Sequence, residues 1–136
     1  MNRRIIRENI MQLVYQMDVS DNFDYEKHSC VEEAEKALRQ KQAIETLEAI
    51  RDHIADIDRL IADNIDHWDI KRLPKADLAI LRTALAEMIY INTIPANVSI
   101  NEAVELGKTY GDDRSYAFIN SVLGKINRQL HEQRQI

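Results

Sequence analysis

The sequence predicts an all-α protein, and composition is the first reason. Only 3 glycines and 2 prolines occur among 136 residues, too few for the tight turns of a multi-stranded sheet. Apolar residues also recur every three or four positions through most of the chain, as in helices that bury one face. We therefore expect one domain over residues 1–136, a compact bundle of about six to seven helices with a hydrophobic core.

The first helix carries its charge in an unusual place. Arg3, Arg4 and Arg7 crowd its first two turns, although the amino end of a helix disfavours positive charge by about 0.3–1 kcal/mol per group. Tyr15 lies off the main apolar stripe, so it faces either a contact surface or a second internal face. The apolar stripe itself consists of Ile6, Ile10, Leu13, Val14 and Met17.

The middle of the chain predicts a connection followed by two helices. The polar stretch "SDNFDYEKHS" reads as a connection, and whether it contains a short helix is left open. A helical pattern then runs from about Val31 to Trp68. It is interrupted near "RQKQ" at 39–42, which indicates a short helix and then a long one. The apolar side of this pattern contains Ile44, Leu47, Ile50, Ile54, Ile57, Ile61, Ile65 and Trp68.

Two prolines frame the next helix. Pro74 suits a first helical turn, where its missing N–H is not needed. Pro95 in "NTIPANVS" forbids one continuous helix, so the segment should end at about Asn92. Its apolar positions are Leu78, Leu81, Leu85 and Met88.

The last two helices have local end signals. Ser99 and Glu102 in "SINE" match a capping box, in which each side chain satisfies a backbone N–H at the other position. That helix should run to Tyr110, with Gly111 as its C-cap. The final helix follows, with apolar residues at Phe118, Ile119, Val122, Leu123, Ile126 and Leu130.

Charge is unevenly distributed along the chain. The formal net charge is -5, but residues 1–19 carry +1, residues 20–69 carry -8 and residues 70–136 carry +2. An acidic middle section thus lies between two mildly basic ends. The total charge alone argues against a nucleic-acid partner, whereas its distribution does not.

Several classes of protein find no support in the motifs. The "GKT" at 107–109 lacks the earlier glycine and the preceding strand of a phosphate-binding loop. His28 and Cys30 have no recognised zinc spacing, and Cys30 is the only thiol. No motif couples an acid to a nucleophile or metal. We expect no enzyme, no cofactor and no metal site, and a cytoplasmic protein without a signal peptide or membrane-spanning segment.

The arginines are a stronger signal. They are either solvated surface charges or phosphate contacts, since guanidinium groups bind phosphate bidentately and free N–H groups at a helix start attract anions. A membrane-surface helix is a third interpretation, although such helices usually carry more lysine and exposed aromatics. Under the phosphate interpretation Arg3, Arg4 and Arg7 contact RNA.

Aromatic residues extend this hypothesis, because single-stranded RNA is held by stacking as well as by charge. Tyr110 and Phe118 flank "GDDRSYA", with Arg114 between them. Phe118 is also a candidate core residue, and Tyr110 next to the capping glycine could face either way.

Three stretches resemble the NusB family of bacterial transcription antitermination factors. They are "RENIMQLVYQMD", "LPKADLAILRTALAEMIY" and "IPANVSINEAVELGKTYGDDRSYAFINSVLGKI", and they occur in the family's order over nearly the whole chain. The resemblance implies two three-helix halves, over about residues 1–70 and 71–136. It also implies binding to single-stranded boxA RNA of ribosomal RNA operons, together with the small-subunit ribosomal protein NusE, in the antitermination complex of RNA polymerase.

The resemblance also assigns roles to residues. Arg3, Arg4 and Arg7 occupy the place of the family's RNA-contacting arginines, and Tyr110 and Phe118 match aromatics at the RNA surface. Tyr15 and Asp77 match residues that contact NusE, the latter at the opening of the fourth helix. Arg114 departs from the family pattern, which carries an acid there, and an arginine should favour phosphate.

Two rival interpretations remain. One is an RNA-binding domain that resembles the NusB-like portion of a ribosomal RNA methyltransferase. The other is a helical interaction protein that forms a homodimer through its apolar surfaces, with the arginines incidental. Salt-sensitive RNA binding would favour phosphate contact, and a salt-insensitive dimer would favour the second interpretation.

Overall fold

A computed structural model describes residues 2–66 and 68–134, with the side chain of Arg134 excepted. Within these residues the chain forms six α-helices and two short 3₁₀ turns and contains no strand, so the predicted all-α fold is confirmed. Met1, His67 and residues 135–136 of the predicted single domain lie outside the described residues. The helices are α1 (Arg3–Val19), α2 (Glu32–Leu38), α3 (Lys41–Ala62), α4 (Lys75–Tyr90), α5 (Ala96–Tyr110) and α6 (Ser115–Arg134).

The predicted division of the middle region is confirmed, but its end is not. The break falls between α2 and α3, at Arg39 and Gln40. The helix ends at Ala62 rather than continuing to Trp68, because the chain turns over residues 63–66. Ile65 is still buried beyond this turn, whereas Trp68 is 63% exposed. The open question about the first connection is answered by a 3₁₀ turn at Tyr25–Lys27.

Helix α4 is the centre of the fold. Its residues from Asp77 to Met88 are all buried, as expected for a helix that is packed on every side. It packs against α1, α3, α5 and α6, so one continuous core extends through the bundle. Because α4 buries charged residues as well as apolar ones, each charge needs a partner.

One charged cluster joins α4 to α1 and α3. The Arg82 guanidinium donates two hydrogen bonds of 2.8 Å to the Asp58 carboxylate and lies 3.5 Å from Asp18. Lys75 donates to the same Asp18 carboxylate at 3.3 Å. These contacts fix the first half of α4 against the end of α1 and the middle of α3.

A second, deeper ion pair joins α1 to α4 and α5. Arg7 Nε lies 3.0 Å from both oxygens of Glu87, and the Ser99 hydroxyl donates to the same carboxylate at 3.2 Å. Arg7 is only 4% exposed and Glu87 only 1%. A buried pair of this kind must be aligned closely, because a misplaced partner leaves an uncompensated charge in the core.

The capping box predicted at Ser99 and Glu102 is wrong. Helix α5 begins at Ala96, directly after Pro95, whose carbonyl accepts from the N–H of Ser99 at 3.3 Å. Ser99 therefore lies inside the helix and is buried, where its hydroxyl binds Glu87. Gly111 does cap the other end of α5, as predicted.

Among the described residues, no helix combines the length and apolarity that crossing a bilayer would require.

The buried pair generates a stability prediction. Arg7→Ala should lower the free energy of unfolding by about 3–5 kcal/mol, because Glu87 would remain buried without its counter-charge. Arg3→Ala removes an exposed arginine from the same helix and should change the free energy of unfolding by less than about 0.5 kcal/mol. Urea unfolding followed by circular dichroism measures both values.

The double variant Arg7→Met with Glu87→Met is the control for this assignment. It removes both charges together, so most of the lost stability should return. A loss for Arg7→Ala as small as that for Arg3→Ala would contradict the structural role of the pair.

Candidate nucleic-acid interface

The start of α1 presents two arginines. Asn2 caps the helix, and its side chain accepts a hydrogen bond from the backbone N–H of Arg4 at 2.7 Å. No acid occupies the first turn, so the positive end of the helix dipole is not balanced locally. Arg3 and Arg4 are both exposed, and Arg3 forms no ion pair within the described residues.

Arg4 is held by an acid from α5. Its Nε and a terminal nitrogen donate to the two Glu102 oxygens at 3.0 and 3.1 Å, although the Arg4 side chain remains 57% exposed. The hydrogen bond from Arg4 is the main cause that lowers the pKa of Glu102. The stabilisation from this pair is thus complete above the ordinary glutamate pKa and is lost as the pH falls through the lowered value.

Arg7 does not reach the surface with its two neighbours. The sequence grouped it with the RNA-contacting arginines, but its guanidinium is buried against Glu87. A phosphate could bind there only by displacing a buried carboxylate. We therefore correct this assignment: Arg7 is a structural residue, and Arg3 and Arg4 are the arginines available at this surface.

Tyr110 lies on the same side of the molecule as Arg4, where the end of α5 meets α1. Its hydroxyl accepts from Gln12 Nε2 at 3.1 Å and donates to Glu8 at 3.4 Å. Burial is the largest cause that raises the Tyr110 pKa, followed by the charge of Glu8. Tyr110 is 37% exposed, so part of its side chain remains accessible at the surface. We call the surface formed by Arg3, Arg4 and Tyr110 the α1–α5 face.

The turn between α5 and α6 carries Arg114. Asp112 Oδ1 accepts from the Arg114 backbone N–H at 2.9 Å, and the Ser115 hydroxyl accepts from the Asp112 N–H at 2.9 Å. Gly111 is required because a Cβ at this position would overlap the Ser115 side chain. The turn is therefore rigid, and it leaves the Arg114 side chain exposed.

Phe118 and Asp77 meet in a groove between α4 and α6. Both candidate roles of Phe118 are compatible with its position, because it is half-buried against the core and also lines this groove. Asp77, which the resemblance places at the NusE surface, is 4% exposed and lines this groove, so its contact with a partner stays a prediction. We call this feature the α4–α6 groove. Its lining residues are Trp68, Arg72, Leu73, Pro74, Asp77, Asp112, Arg114, Ser115 and Phe118.

Two groove residues were missed by sequence reasoning. The helical pattern places Trp68 on the apolar side of the long helix, and no motif in the sequence marks Arg72 as a candidate site residue. The useful signal was local: an aromatic followed by polar residues and then "LP" marks a loop rather than a helix end. Tyr15 is 42% exposed and is not part of the groove that contains Asp77.

The described residues define an all-helical protein that presents exposed arginines and aromatic side chains. The chain belongs to the NusB family, whose model matches residues 4–128. This membership agrees with the prediction of a non-enzymatic protein of transcription antitermination.

Known proteins resemble the chain over nearly its full length. The transcription antitermination protein NusB of Finegoldia magna is 39% identical over 130 residues, 93% of each chain. That of Bacillus subtilis is 37% identical over 137 residues, covering 97% of this chain and 99% of its own.

Solved structures resemble the fold as well. A structure of Thermotoga maritima NusB is 29% identical with a TM-score of 0.80, covering 94% of this chain and 92% of its own. A complex of antitermination factors NusB and NusE with dsRNA contains a chain with a TM-score of 0.71 at 24% identity, covering 93% and 96%. At 24% identity, this similarity shows that the two chains share a fold and nothing more.

The turn that carries Arg114 can be tested with a pair of glycine variants. Gly111→Ala should lower the free energy of unfolding by about 1–3 kcal/mol, because the new methyl group overlaps Ser115. Gly124→Ala, inside α6, should instead raise it by up to about 1 kcal/mol, since its Cβ would meet only the flexible Arg128 side chain at 3.6 Å. Thermal unfolding measures both, and equal effects would contradict the packing described for the turn.

Proposed function

We propose that this protein binds single-stranded boxA RNA of ribosomal RNA operons together with NusE, and so helps RNA polymerase to read through terminators in the cytoplasm. The observation that carries the proposal is the α1–α5 face, where Arg3 and Arg4 are exposed at the positive end of α1 and the Tyr110 hydroxyl binds Glu8 and Gln12 in the following turns of the same helix. Phosphate contact and base stacking are the two interactions that hold single-stranded RNA.

The two arginines of this face would engage RNA differently. Arg3 has no competing carboxylate among the described ion pairs, so it is free to bind a phosphate. Arg4 already uses two donors on Glu102, and a phosphate must share or replace that carboxylate. Arg114 and Phe118 continue the surface beyond the α5–α6 turn, and the rigid turn fixes their distance from Tyr110.

NusE is the proposed protein partner. The solved complex of NusB and NusE with dsRNA supports this proposal, because one of its chains shares the fold of this protein. Exposed Tyr15 and Asp77, which lines the α4–α6 groove, are the proposed contacts for NusE. If the protein formed a homodimer through its apolar surfaces, that homodimer would compete with the binding of NusE.

The phosphate contacts can be counted by their salt dependence. Fluorescence anisotropy should show that Arg3→Ala with Arg4→Ala weakens boxA RNA binding. The double variant should also reduce the slope of log affinity against log salt by about 1.4, because each phosphate contact to a single strand contributes about 0.7. Arg39→Ala with Arg59→Ala makes the same change in net charge on the acidic side of the molecule and should leave the slope unchanged.

The specificity of binding decides between the proposal and its rivals. BoxA RNA should bind more tightly than a scrambled RNA of the same composition, and NusE should increase the difference. Equal binding of both RNAs, with or without NusE, would contradict the proposed function.

Glu102 provides a second, opposite prediction. Glu102→Gln should strengthen RNA binding by roughly two- to fivefold, since it removes a carboxylate that competes with phosphate for an exposed arginine. Glu105→Gln is the matched control, because Glu105 pairs with Lys108 one turn further along α5. Anisotropy titrations at one salt concentration compare the two, and weaker binding by Glu102→Gln would show that Arg4 needs its carboxylate to be positioned.

A further inference from the structure

A groove of about 510 Å³ runs between α1 and α2. Its floor is apolar, because Leu13 is buried and Ala34 and Leu38 are half-buried. Val31 adds an apolar side chain that is 68% exposed. The rest of the lining comes from α1 residues between positions 9 and 16 and from loop residues 29–30. We call this feature the α1–α2 groove.

One wall of the groove is a stretch of extended backbone, residues 29–31. His28 and Val31 both have extended dihedral angles, with φ −109° and ψ 134° for the first and φ −68° and ψ 157° for the second. Within the described residues, the backbone N–H and C=O groups of Ser29 and Cys30 form no hydrogen bond, and neither does the N–H of Val31. Extended backbone with unused donors and acceptors is what a second extended chain pairs with at the edge of a sheet.

The α1 wall of the groove carries side-chain amides. Asn9 Nδ2 donates to the Ile5 carbonyl at 2.8 Å and Gln12 Nε2 donates to the Tyr110 hydroxyl at 3.1 Å. The oxygens of these two amides have no partner in the described part of the chain, and Gln16 uses neither end of its amide there. Because each residue of a peptide brings one N–H and one C=O, amides and free backbone groups together match a peptide backbone.

The length of the groove suits a short extended segment. From Asn9 to Gln16, α1 rises by about 10 Å, which is the length of about three residues of extended chain. Alternate side chains of such a segment point to opposite faces. One apolar side chain can therefore enter the groove above Leu13 while its two neighbours point away from the floor.

Charge decides which class of partner fits. None of the lining residues is charged, but Glu32 and Glu33 follow Val31 directly, are exposed and take part in no ion pair within the described residues. Residues 20–40 contain six acids and three basic residues. RNA phosphates would meet like charge here, and a second copy of the chain would bring another acidic surface. A segment with lysine or arginine beside its apolar residue is instead attracted.

We propose that the α1–α2 groove is a docking site for an extended, basic segment of a partner protein. The segment pairs its backbone with residues 29–31, as a strand adds to the edge of a sheet. It places one apolar side chain over Leu13, Ala34 and Leu38, and its flanking cations lie near Glu32 and Glu33. Such docking requires neither RNA nor NusE, so it goes beyond the proposed function.

Short peptides test the site in the full-length protein. The probes are four capped peptides, Lys-Thr-X-Thr-Lys, with leucine, isoleucine, valine or phenylalanine at X. At least one should give saturable changes in the amide chemical shifts of residues 29–31 and of the Gln16 side chain. Methylation of its three central backbone nitrogens, one at a time, should weaken binding by about three- to tenfold at one position or more, because each removes a hydrogen-bond donor.

Two substitutions at Val31 isolate the backbone contact. Val31→Pro removes the N–H with little strain, since the φ of −68° at this residue is already the value that proline requires. Val31→Ala keeps the N–H and shortens the side chain in the same place. The proline variant should bind the peptide about three- to tenfold more weakly than the alanine variant.

The acidic residues beside the groove are tested by a matched pair of double variants. Glu32→Gln with Glu33→Gln should weaken peptide binding by about two- to fivefold, because two exposed charges that attract the lysines are removed. Asp113→Asn with Glu132→Gln makes the same change in net charge at exposed positions outside the groove. This control should leave the affinity unchanged.

Four results would overturn the docking site. Unchanged amides of residues 29–31 with all four peptides would do so outright. Shifts that are insensitive to nitrogen methylation and to Val31→Pro would show ionic attraction without backbone pairing. Shifts at residues 29–31 that grow with protein concentration alone would assign the groove to a second copy of the chain. Shifts there that follow boxA RNA and no peptide would assign it to RNA.

Discussion

The structure depends on the buried ion pair between Arg7 of α1 and Glu87 of α4, which also accepts a hydrogen bond from Ser99 of α5. Each of the three helices contributes one polar group. A shift of α1 or α4 would leave a charge unpaired in the core, and a shift of α5 would leave the Ser99 hydroxyl without its acceptor. The buried pair also determines which residues of α1 and α5 meet at the surface. Arg4 and Glu102 are each three residues from a member of the buried cluster, so they form a second, exposed link between α1 and α5.

This arrangement explains the arginines at the start of α1 differently from the sequence alone. The hypothesis was that RNA phosphates supply the missing negative charge. Glu87 supplies it for Arg7 and Glu102 supplies much of it for Arg4, both from distant parts of the chain. Of these three arginines, only Arg3 forms no ion pair with a described residue, so only its guanidinium is left entirely for an external anion. The fold thus stabilises the α1–α5 face by itself, through the Arg4–Glu102 pair.

Sequence reasoning predicted what depends on local pattern and failed where distant contacts decide. Helical spacing and the scarcity of glycine and proline predicted the fold class, and the polar stretch "RQKQ" predicted the division of α2 from α3. The motif "SINE" misled, because a capping box is a local rule, whereas Ser99 and Glu102 are recruited by residues of α4 and α1. The burial of Asp77 could not be predicted either, since it results from how the start of α4 packs near the start of α6.

The central claim is that RNA lies along one continuous surface, from the α1–α5 face across the α5–α6 turn to Phe118. Backbone amide chemical shifts, measured with and without boxA RNA, test it most directly. The account predicts the largest changes at Arg3, Arg4, residues 110–114 and Phe118, with little change in the acidic α2 and α3. Changes confined to α2 and α3, or spread evenly over the molecule, would contradict it.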